Sequence, residues 1–120
     1  MPDFIKQTDP VRIKVPGDKM IEEHFGKVAT GHEQFSVAHM KAPSGWSEPP
    51  QTPDFDEVTI MIKGRMQIQS GEEIVELDPG ESFLAPRGTT VQYANPFKED
   101  NEYWSLCVPA FSPETVNRKE

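Results

Sequence analysis

The sequence has little cysteine, little histidine and no long apolar run, and these shortages exclude several classes of protein. The single cysteine, Cys107, allows neither an intrachain disulfide nor a cysteine-rich zinc site. It lies in the strand-like run YWSLCVPAF, where we predict a small buried core residue. Of the three histidines, His24 and His32 stand among polar residues and are predicted to be solvated. No apolar run approaches the roughly 20 residues of a membrane-spanning helix.

Basic residues are also scarce. Twelve Lys and Arg residues stand against twenty Asp and Glu residues, which gives a net charge of −8. A surface of this sign repels phosphate backbones and anionic lipids, so we expect neither nucleic acid nor a membrane as a partner. The first ten residues, MPDFIKQTDP, lack the basic and then apolar stretch of a secretory signal. We therefore expect a cytoplasmic protein.

Helical periodicity is nearly absent from the 120 residues, a length typical of one domain. The chain instead has short runs rich in β-branched and aromatic residues, separated by Gly, Pro, Asn and Ser. This pattern is typical of an all-β sandwich or barrel. The predicted strands cover residues 11–15, 35–41, 57–63, 65–69, 73–77, 82–86, 91–95 and 102–108.

Most of the twelve prolines fall between the predicted strands. The longest such connection, HMKAPSGWSEPPQTPDF, is either a binding loop or a rigid spacer, and the sequence leaves both interpretations open. Within one domain, we predict an N-terminal arm with the first strands at residues 1–34, the barrel at 35–110 and a C-terminal tail at 111–120. Arms on small barrels often pack on a second subunit, so we expect a homodimer.

The stretch from Gly45 to Gly64 has the layout of a metal-binding hairpin. Five residues separate Gly45 from Gln51, and Pro53 stands two positions further on. Three residues then separate Pro53 from Glu57, and six separate Glu57 from Gly64. The glycines stand at the expected turns, whereas glutamine and proline occupy positions where histidines would be expected.

A second stretch follows the same kind of spacing. Five residues separate Gly80 from Pro86, and Gly88 follows two positions later. Two residues separate Gly88 from Val91, and three separate Val91 from Asn95, which we predict to form a turn. Together the two stretches resemble the paired motifs of the cupin superfamily, in its small single-domain type. The resemblance implies a double-stranded β-helix, a jelly-roll barrel, here with extended terminal arms.

The resemblance covers residues 35–109 and is strongest for histidine-poor cupins. The segments FDEVTIMIKG, APRGTTVQYANP and CVPAF are loosely similar to the cupin domain of ethanolamine-utilisation proteins. This similarity implies a role beside a catabolic pathway and transfers no substrate.

Cupins that hold iron, manganese, nickel or zinc usually do so with three histidines and a glutamate. The corresponding positions in this chain are Gln51, Pro53, Glu57 and Val91. Divalent metals normally need about three or four protein donors, and only Glu57 is a good one. The resemblance therefore implies a degenerate metal site, and we expect no cofactor.

A metal site with substitute ligands is the alternative. His39 lies on the strand before the proline-rich loop, and Glu48 lies in that loop. With Gln51 and Glu57 they would form an oxygen-rich set suited to Mn²⁺ or Mg²⁺.

The pocket of such a barrel can be predicted because alternate side chains of a strand share a face. If Glu57 points inward, Thr59 and Met61 do so too, and an inward Val91 implies an inward Tyr93. These side chains describe a small-molecule pocket with apolar walls and a few polar groups. The predicted ligand-binding residues are Gln51, Glu57, Thr59, Met61, Tyr93, Trp46 and Trp104, of which Met61 and Trp104 are also interpretable as core residues.

We interpret the chain as a cupin-fold small-molecule-binding protein. A buried carboxylate without a metal would have a raised pKa, which suits acid–base chemistry. One alternative is therefore a metal-independent isomerase or lyase with Glu57 and either Tyr93 or His39 as catalytic residues. A second alternative is a metal-dependent enzyme that uses the substitute ligands. A purely structural Glu57, hydrogen-bonded to Gln51 or Tyr93, is also open.

Overall fold

The computed structural model describes residues 3–118, which form nine β-strands and no α-helix. The predicted all-β architecture is therefore confirmed. The strands are β1 (Val11–Ile13), β2 (Met20–Phe25), β3 (Ser36–Ala42), β4 (Asp56–Lys63), β5 (Met66–Ser70), β6 (Glu73–Leu77), β7 (Ser82–Ala85), β8 (Gln92–Ala94) and β9 (Asn101–Val108). No helix in residues 3–118 has the length and apolar character needed to cross a bilayer.

The strands form two antiparallel sheets that enclose one interior. The larger sheet has the order β1-β2-β3-β9-β4-β7, and the smaller has the order β6-β5-β8. In the larger sheet, Val58 pairs with Leu84 of β7 on one side and with Leu106 of β9 on the other. The main core cluster between the sheets contains Ala42, Met61, Met66, Ile68, Leu77, Ala85, Val91, Tyr93 and Tyr103.

Burial along β9 follows the period of two that a pleated strand imposes. Asn101, Tyr103, Ser105 and Cys107 are buried, whereas the residues between them are more exposed. The buried positions carry polar and apolar side chains alike, so hydrophobicity alone does not define the inner face. Cys107 is a buried core residue, as the sequence predicts.

Sequence reasoning missed β2. Its sequence, MIEEHF, places charged residues where a strand signal requires apolar ones. Glu23 is nevertheless only 1% exposed, because its carboxylate accepts hydrogen bonds from the backbone N–H groups of Val28 and Ala29, at 2.9 and 2.8 Å. A local turn thus satisfies the buried charge, and β2 can join β1 and β3 in the larger sheet.

The proline-rich segment and the C-terminal segment pack along the barrel together. Gln51 bridges to Val91 and to Arg118, so the segment extends the smaller sheet beyond β8. The C-terminal residues add Val116 and Phe111 to a second cluster with Phe55. The described residues end at 118, so the last two residues of the predicted tail and the first two of the predicted arm lie outside the structure's description.

Gly64, between β4 and β5, lies against the backbone of the segment that precedes β9. Its φ is +69°, and a Cβ added there would lie 2.6 Å from the backbone oxygen of Asp100. Gly80 has a similar φ of +86° with nothing within 4 Å. We expect Gly80→Ala to cost about 1–2 kcal/mol from the left-handed backbone alone. Gly64→Ala should cost roughly 3 kcal/mol or more, because the clash with backbone adds to the strain.

Urea unfolding of the two alanine variants beside the wild type measures both costs. Equal destabilisation by the two substitutions would contradict the close approach at Gly64.

Candidate ligand-binding site

A cavity of about 70 Å³ lies between the two sheets, beside the main core cluster. One water molecule needs roughly 10–15 Å³ on this scale, so the cavity can hold several waters or a small organic molecule. Its walls are largely apolar and include Ile13, Ile21, Ala38, Met40, Phe55 and Phe111. Polar side chains interrupt these walls at a few positions, the arrangement typical of small-molecule sites.

The carboxylate of Glu57 is the central polar group of the cavity. Tyr93 donates a hydrogen bond from its hydroxyl to Glu57 Oε1 at 3.1 Å, and Ser105 donates one to Glu57 Oε2 at 2.6 Å. Glu57 stands on β4 and Ser105 on the neighbouring β9, while Tyr93 reaches across from the smaller sheet. The two sheets are thus joined through one carboxylate.

Burial raises the pKa of Glu57 above its ordinary value, and the negative charge of Glu48 adds to this effect. The hydrogen bonds from Ser105 and Tyr93 and the positive charge of Lys19 act in the opposite direction but do not cancel it. A carboxyl group in this position holds a proton at a higher pH than a solvated glutamate does.

The hydroxyl and thiol groups around Glu57 stay protonated at neutral pH. Burial raises the pKa of Tyr93, and the nearby charge of Glu57 raises it further. Burial likewise raises the pKa values of Tyr103 and Cys107. Tyr93 is therefore a hydrogen-bond donor towards Glu57, and Cys107 is unsuited to act as a nucleophile.

Lys19 brings a positive charge into the same cavity. It lies between β1 and β2, and its ammonium stands 3.9 Å from the ring centre of Trp46 and 5.4 Å from that of Tyr103. Burial lowers the pKa of Lys19 to about 8, although the charges of Glu48 and Glu57 oppose that change. The two aromatic faces hold the ammonium by cation–π attraction.

Arg118 brings a second positive charge from the C-terminal segment. Its Nε donates to Gln51 Oε1 at 3.2 Å, and its guanidinium forms an ion pair with Glu48 at 3.4 Å. The Arg118 side chain is 38% exposed and that of Glu48 14% exposed, so the pair lies at the outer side of the cavity. This ion pair joins two segments of the cavity wall that are 70 residues apart in sequence.

The structure brings together most of the polar residues that the sequence predicts for the site. Predicted residues that line the cavity are Gln51, Glu57, Thr59, Tyr93 and Glu48. Sequence reasoning missed Lys19 and Arg118, because both lie in segments that read as terminal arms. A lysine and an arginine in an acidic chain are a weak signal, and only their placement makes them notable.

His39 does not line the cavity, so the structure does not place it beside Glu57 as the predicted catalytic and metal-binding roles require. It lies on β3 between inward-facing Ala38 and Met40, and its ring points to the outer face of the sheet. There Nε2 contacts Glu102 Oε2 at 2.6 Å, and Nδ1 lies 3.8 Å from Glu22 Oε1. The strand alternation that places Ala38 inside places His39 outside.

Trp104 is misplaced by the sequence prediction for the same reason. It neighbours inward-facing Ser105 on β9, so it lies on the outer face, where it stacks on His24 and His39 at 5.1 and 5.0 Å between ring centres. His24 is half-buried by this stack, and His32 is half-buried beside Phe25, at a ring-centre distance of 6.2 Å. The prediction that His24 and His32 are solvated is therefore wrong.

The structure places Met61 in the core, which is one of its two predicted positions, and Trp46 against the core. Met61 points inward but is packed in the main core cluster, past the end of the cavity. Trp46 packs against the same cluster, and its ring centre lies 3.9 Å from the Lys19 ammonium. Neither residue lines the cavity wall.

The residues at the cupin metal positions do not fit a metal ion. Gln51 Oε1 accepts from Arg118, and the carboxylate oxygens of Glu57 accept from Ser105 and Tyr93. Val91 belongs to the apolar core, and the side chain of Pro53 has no donor atom. Within residues 3–118, no three His, Cys, Asp or Glu side chains are grouped as metal ligands. Of the substitute metal ligands, His39 lies outside the cavity, and Glu48 is ion-paired with Arg118.

Comparison with known proteins gives one sequence relative and many structural ones. No protein-family model matches the sequence. A protein named endoribonuclease YbeY from Myxococcus xanthus is 45% identical over 105 residues. The match takes in 86% of this chain but 36% of that protein, so the chain spans about a third of the curated relative's length.

Three solved structures illustrate the fold. The polyketide cyclase RemF from Streptomyces resistomycificus is 18% identical, with a TM-score of 0.75 over 98% of this chain and 85% of that one. An RmlC-like cupin from Shewanella frigidimarina is 13% identical, with a TM-score of 0.74 over 96% and 97%. A candidate ethanolamine utilization protein Q from Salmonella typhimurium is 13% identical, with a TM-score of 0.63 over 80% and 73%. At these identities the likeness shows the fold, which is the cupin double-stranded β-helix.

Replacing Glu57 by its neutral isostere tests the cost of burying the charge. At pH below its ordinary value of 4.5, Glu57 is protonated in both the folded and the unfolded chain. As the pH rises, the unfolded chain loses the proton first, so the folded chain loses stability until its own pKa is passed. We expect Glu57→Gln to raise the free energy of unfolding at pH 7 by an amount on the order of 1–3 kcal/mol.

Urea unfolding at pH 7 and pH 4 measures this effect, with exposed Glu72→Gln as the matched control. The gain of Glu57→Gln should shrink at pH 4, and Glu72→Gln should change little at either pH. A loss of stability in Glu57→Gln at both pH values would show that the charge itself stabilises the fold.

Burial of the positive charge of Lys19 should also destabilise the folded chain. Its pKa falls from 10.5 to about 8 on folding, so the burial penalty is present in full below pH 8 and is relieved between pH 8 and 10.5. We expect Lys19→Met to raise the free energy of unfolding at pH 7 by about 1–3 kcal/mol, because one pKa unit corresponds to about 1.4 kcal/mol and lost cation–π attraction offsets part of it.

Unfolding curves at pH 7 and pH 10 measure this difference, and exposed Lys27→Met is the control. A gain that does not decrease at pH 10, or a loss at pH 7, would contradict the burial penalty at Lys19.

Proposed function

We propose that this cupin-fold protein binds a small organic molecule in the cavity between its sheets, with Glu57 as the polar anchor. The observation that carries this proposal is a carboxylate in a largely apolar cavity, fixed by Tyr93 and Ser105 and left facing the cavity space. An apolar side chain at this position would avoid the penalty of burying a charge. A carboxylate that costs stability is typical of a functional site.

The cavity walls indicate what the ligand looks like. Apolar side chains cover most of the surface, so the ligand has an apolar body of a few heavy atoms. The polar groups converge from β4, β9 and the smaller sheet, so the ligand also has a hydrogen-bonding group that reaches Glu57. Binding of this kind suits a sensor or an accessory protein that holds a metabolite.

A second function, proton transfer, is favoured by the state of Glu57. Its raised pKa brings the carboxyl group closer to neutral pH, which is the property of an efficient general acid or base. Tyr93, protonated at neutral pH and bonded to the same carboxylate, can donate to a developing oxyanion. Glu57 and Tyr93 would then catalyse an isomerase- or lyase-type reaction without His39.

The names of the comparison proteins add two activities, RNA cleavage and polyketide cyclisation. RNA cleavage is disfavoured here, because the chain's net charge of −8 repels a phosphate backbone and the cavity is too small for a nucleotide. Cyclisation of a large polyketide faces the same limit of volume. Fold likeness alone assigns neither activity to this chain.

Mass spectrometry of the purified chain under native conditions, followed by a thermal-shift screen of small metabolites, tests the proposed function. We expect one chemical class to bind and to raise the melting temperature. A ligand at one hundred times its Kd adds about 2.7 kcal/mol of stability. Glu57→Gln should reduce this shift, and Glu72→Gln should leave it unchanged.

Two further measurements separate the candidates. Incubation of a bound ligand in D₂O should leave its C–H groups unlabelled if the protein only binds, whereas deuterium uptake that Glu57→Gln abolishes would favour proton transfer. Thermal-shift scans with Mn²⁺, Mg²⁺ and Zn²⁺ form the other arm. A shift that depends on Glu57 would overturn the metal-free assignment.

A further inference from the structure

We propose that the cavity takes a small monocarboxylic acid whose carboxylate pairs with the ammonium of Lys19. This inference rests on the proposed function, because it names the chemical class of the ligand for the same cavity. The ligand's second polar group would then face Glu57.

Lys19 is a cation on the cavity wall without an ion-paired partner among the described residues. No carboxylate in residues 3–118 forms an ion pair with its ammonium. Glu48 and Glu57 act on it only over a longer distance. The rings of Trp46 and Tyr103 attract the ammonium at the cavity wall by cation–π contact. A largely buried ammonium in this state lacks the anion that would normally accompany it.

The other charged groups on the cavity wall each have partners of their own. Arg118 is paired with Glu48, so these two residues neutralise each other. Glu23 turns its carboxylate to the backbone N–H groups of Val28 and Ala29. Glu57 accepts two hydrogen bonds and holds its proton more tightly than a solvated glutamate does. Lys19 is therefore the cation of the cavity wall that no carboxylate of residues 3–118 pairs with.

The charge and volume of the cavity limit the ligands that it can hold. A single positive charge matches a monoanion and not a phosphate monoester, which carries about two negative charges at neutral pH. A carboxylate is planar and small enough for a cavity of about 70 Å³, and the apolar walls suit a short aliphatic chain behind it. A hydroxyl group on that chain can form a hydrogen bond with Glu57 in either protonation state of the carboxyl group. A 2-hydroxy acid of four or five carbons has all three features.

Calorimetric titration of the full chain at pH 7 tests this inference. The probes are butyrate, 2-hydroxybutyrate and 2-oxobutyrate, each beside its uncharged amide. We expect the acids to bind at least tenfold more tightly than their amides. Lys19→Met should remove this preference, and Lys27→Met, at an exposed lysine away from the cavity, should keep it. Unfolding curves of Lys19→Met show that the variant is folded.

Each outcome has a distinct meaning. Amides that bind as well as the acids, or acids that bind Lys19→Met unchanged, would overturn the carboxylate assignment and leave the cavity as a ligand site. Acids that bind Glu57→Gln and Lys19→Met as well as the wild type would place binding elsewhere and overturn both proposals. Failure of all three acids to bind, while neutral metabolites raise the melting temperature, would overturn the monocarboxylate inference alone.

Discussion

The burial of the Glu57 carboxylate is the constraint on which the rest of this site depends. A carboxylate between two sheets is tolerated only where donors surround it, and Ser105 and Tyr93 supply them from β9 and from the smaller sheet. These bonds fix the position of β4 relative to both sheets. They also leave the carboxyl group with a raised pKa, because they only partly replace the water that burial removed.

The N-terminal and C-terminal segments contribute the positively charged side chains of the cavity wall. The barrel contributes acidic and hydroxyl groups, whereas the two cations come from the loop before β2 and from the C-terminal segment. Lys19 rests on Trp46 and Tyr103, and Arg118 pairs with Glu48. In a metal-binding cupin an ion supplies positive charge at the glutamate. In this chain the positive charge of Lys19 acts on Glu57.

Much of the site could be predicted from strand alternation. Thr59 lines the cavity beside Glu57 because it lies two residues further along β4, and Tyr93 follows Val91 in the same way. The same rule should have placed His39 and Trp104 outside, since each neighbours an inward-facing residue on its own strand. The inward residues beside them, Ala38 and Ser105, give no strong sequence signal of burial, so the sequence offers no reference position from which to assign the faces of β3 and β9.

The sequence by itself determined the all-β class, the turn positions and the absence of histidine from positions 51, 53, 57 and 91, because these follow from local spacing and side-chain chemistry. Only the tertiary structure decided which charges meet. Arg118 and Glu48 form an ion pair although they are 70 positions apart in sequence, and no periodic pattern connects them. β2 also needed the tertiary structure, because its charged segment becomes an inner strand only by pairing with β1 and β3. Contacts between distant segments depend on how the sheets close, and local sequence does not encode that closure.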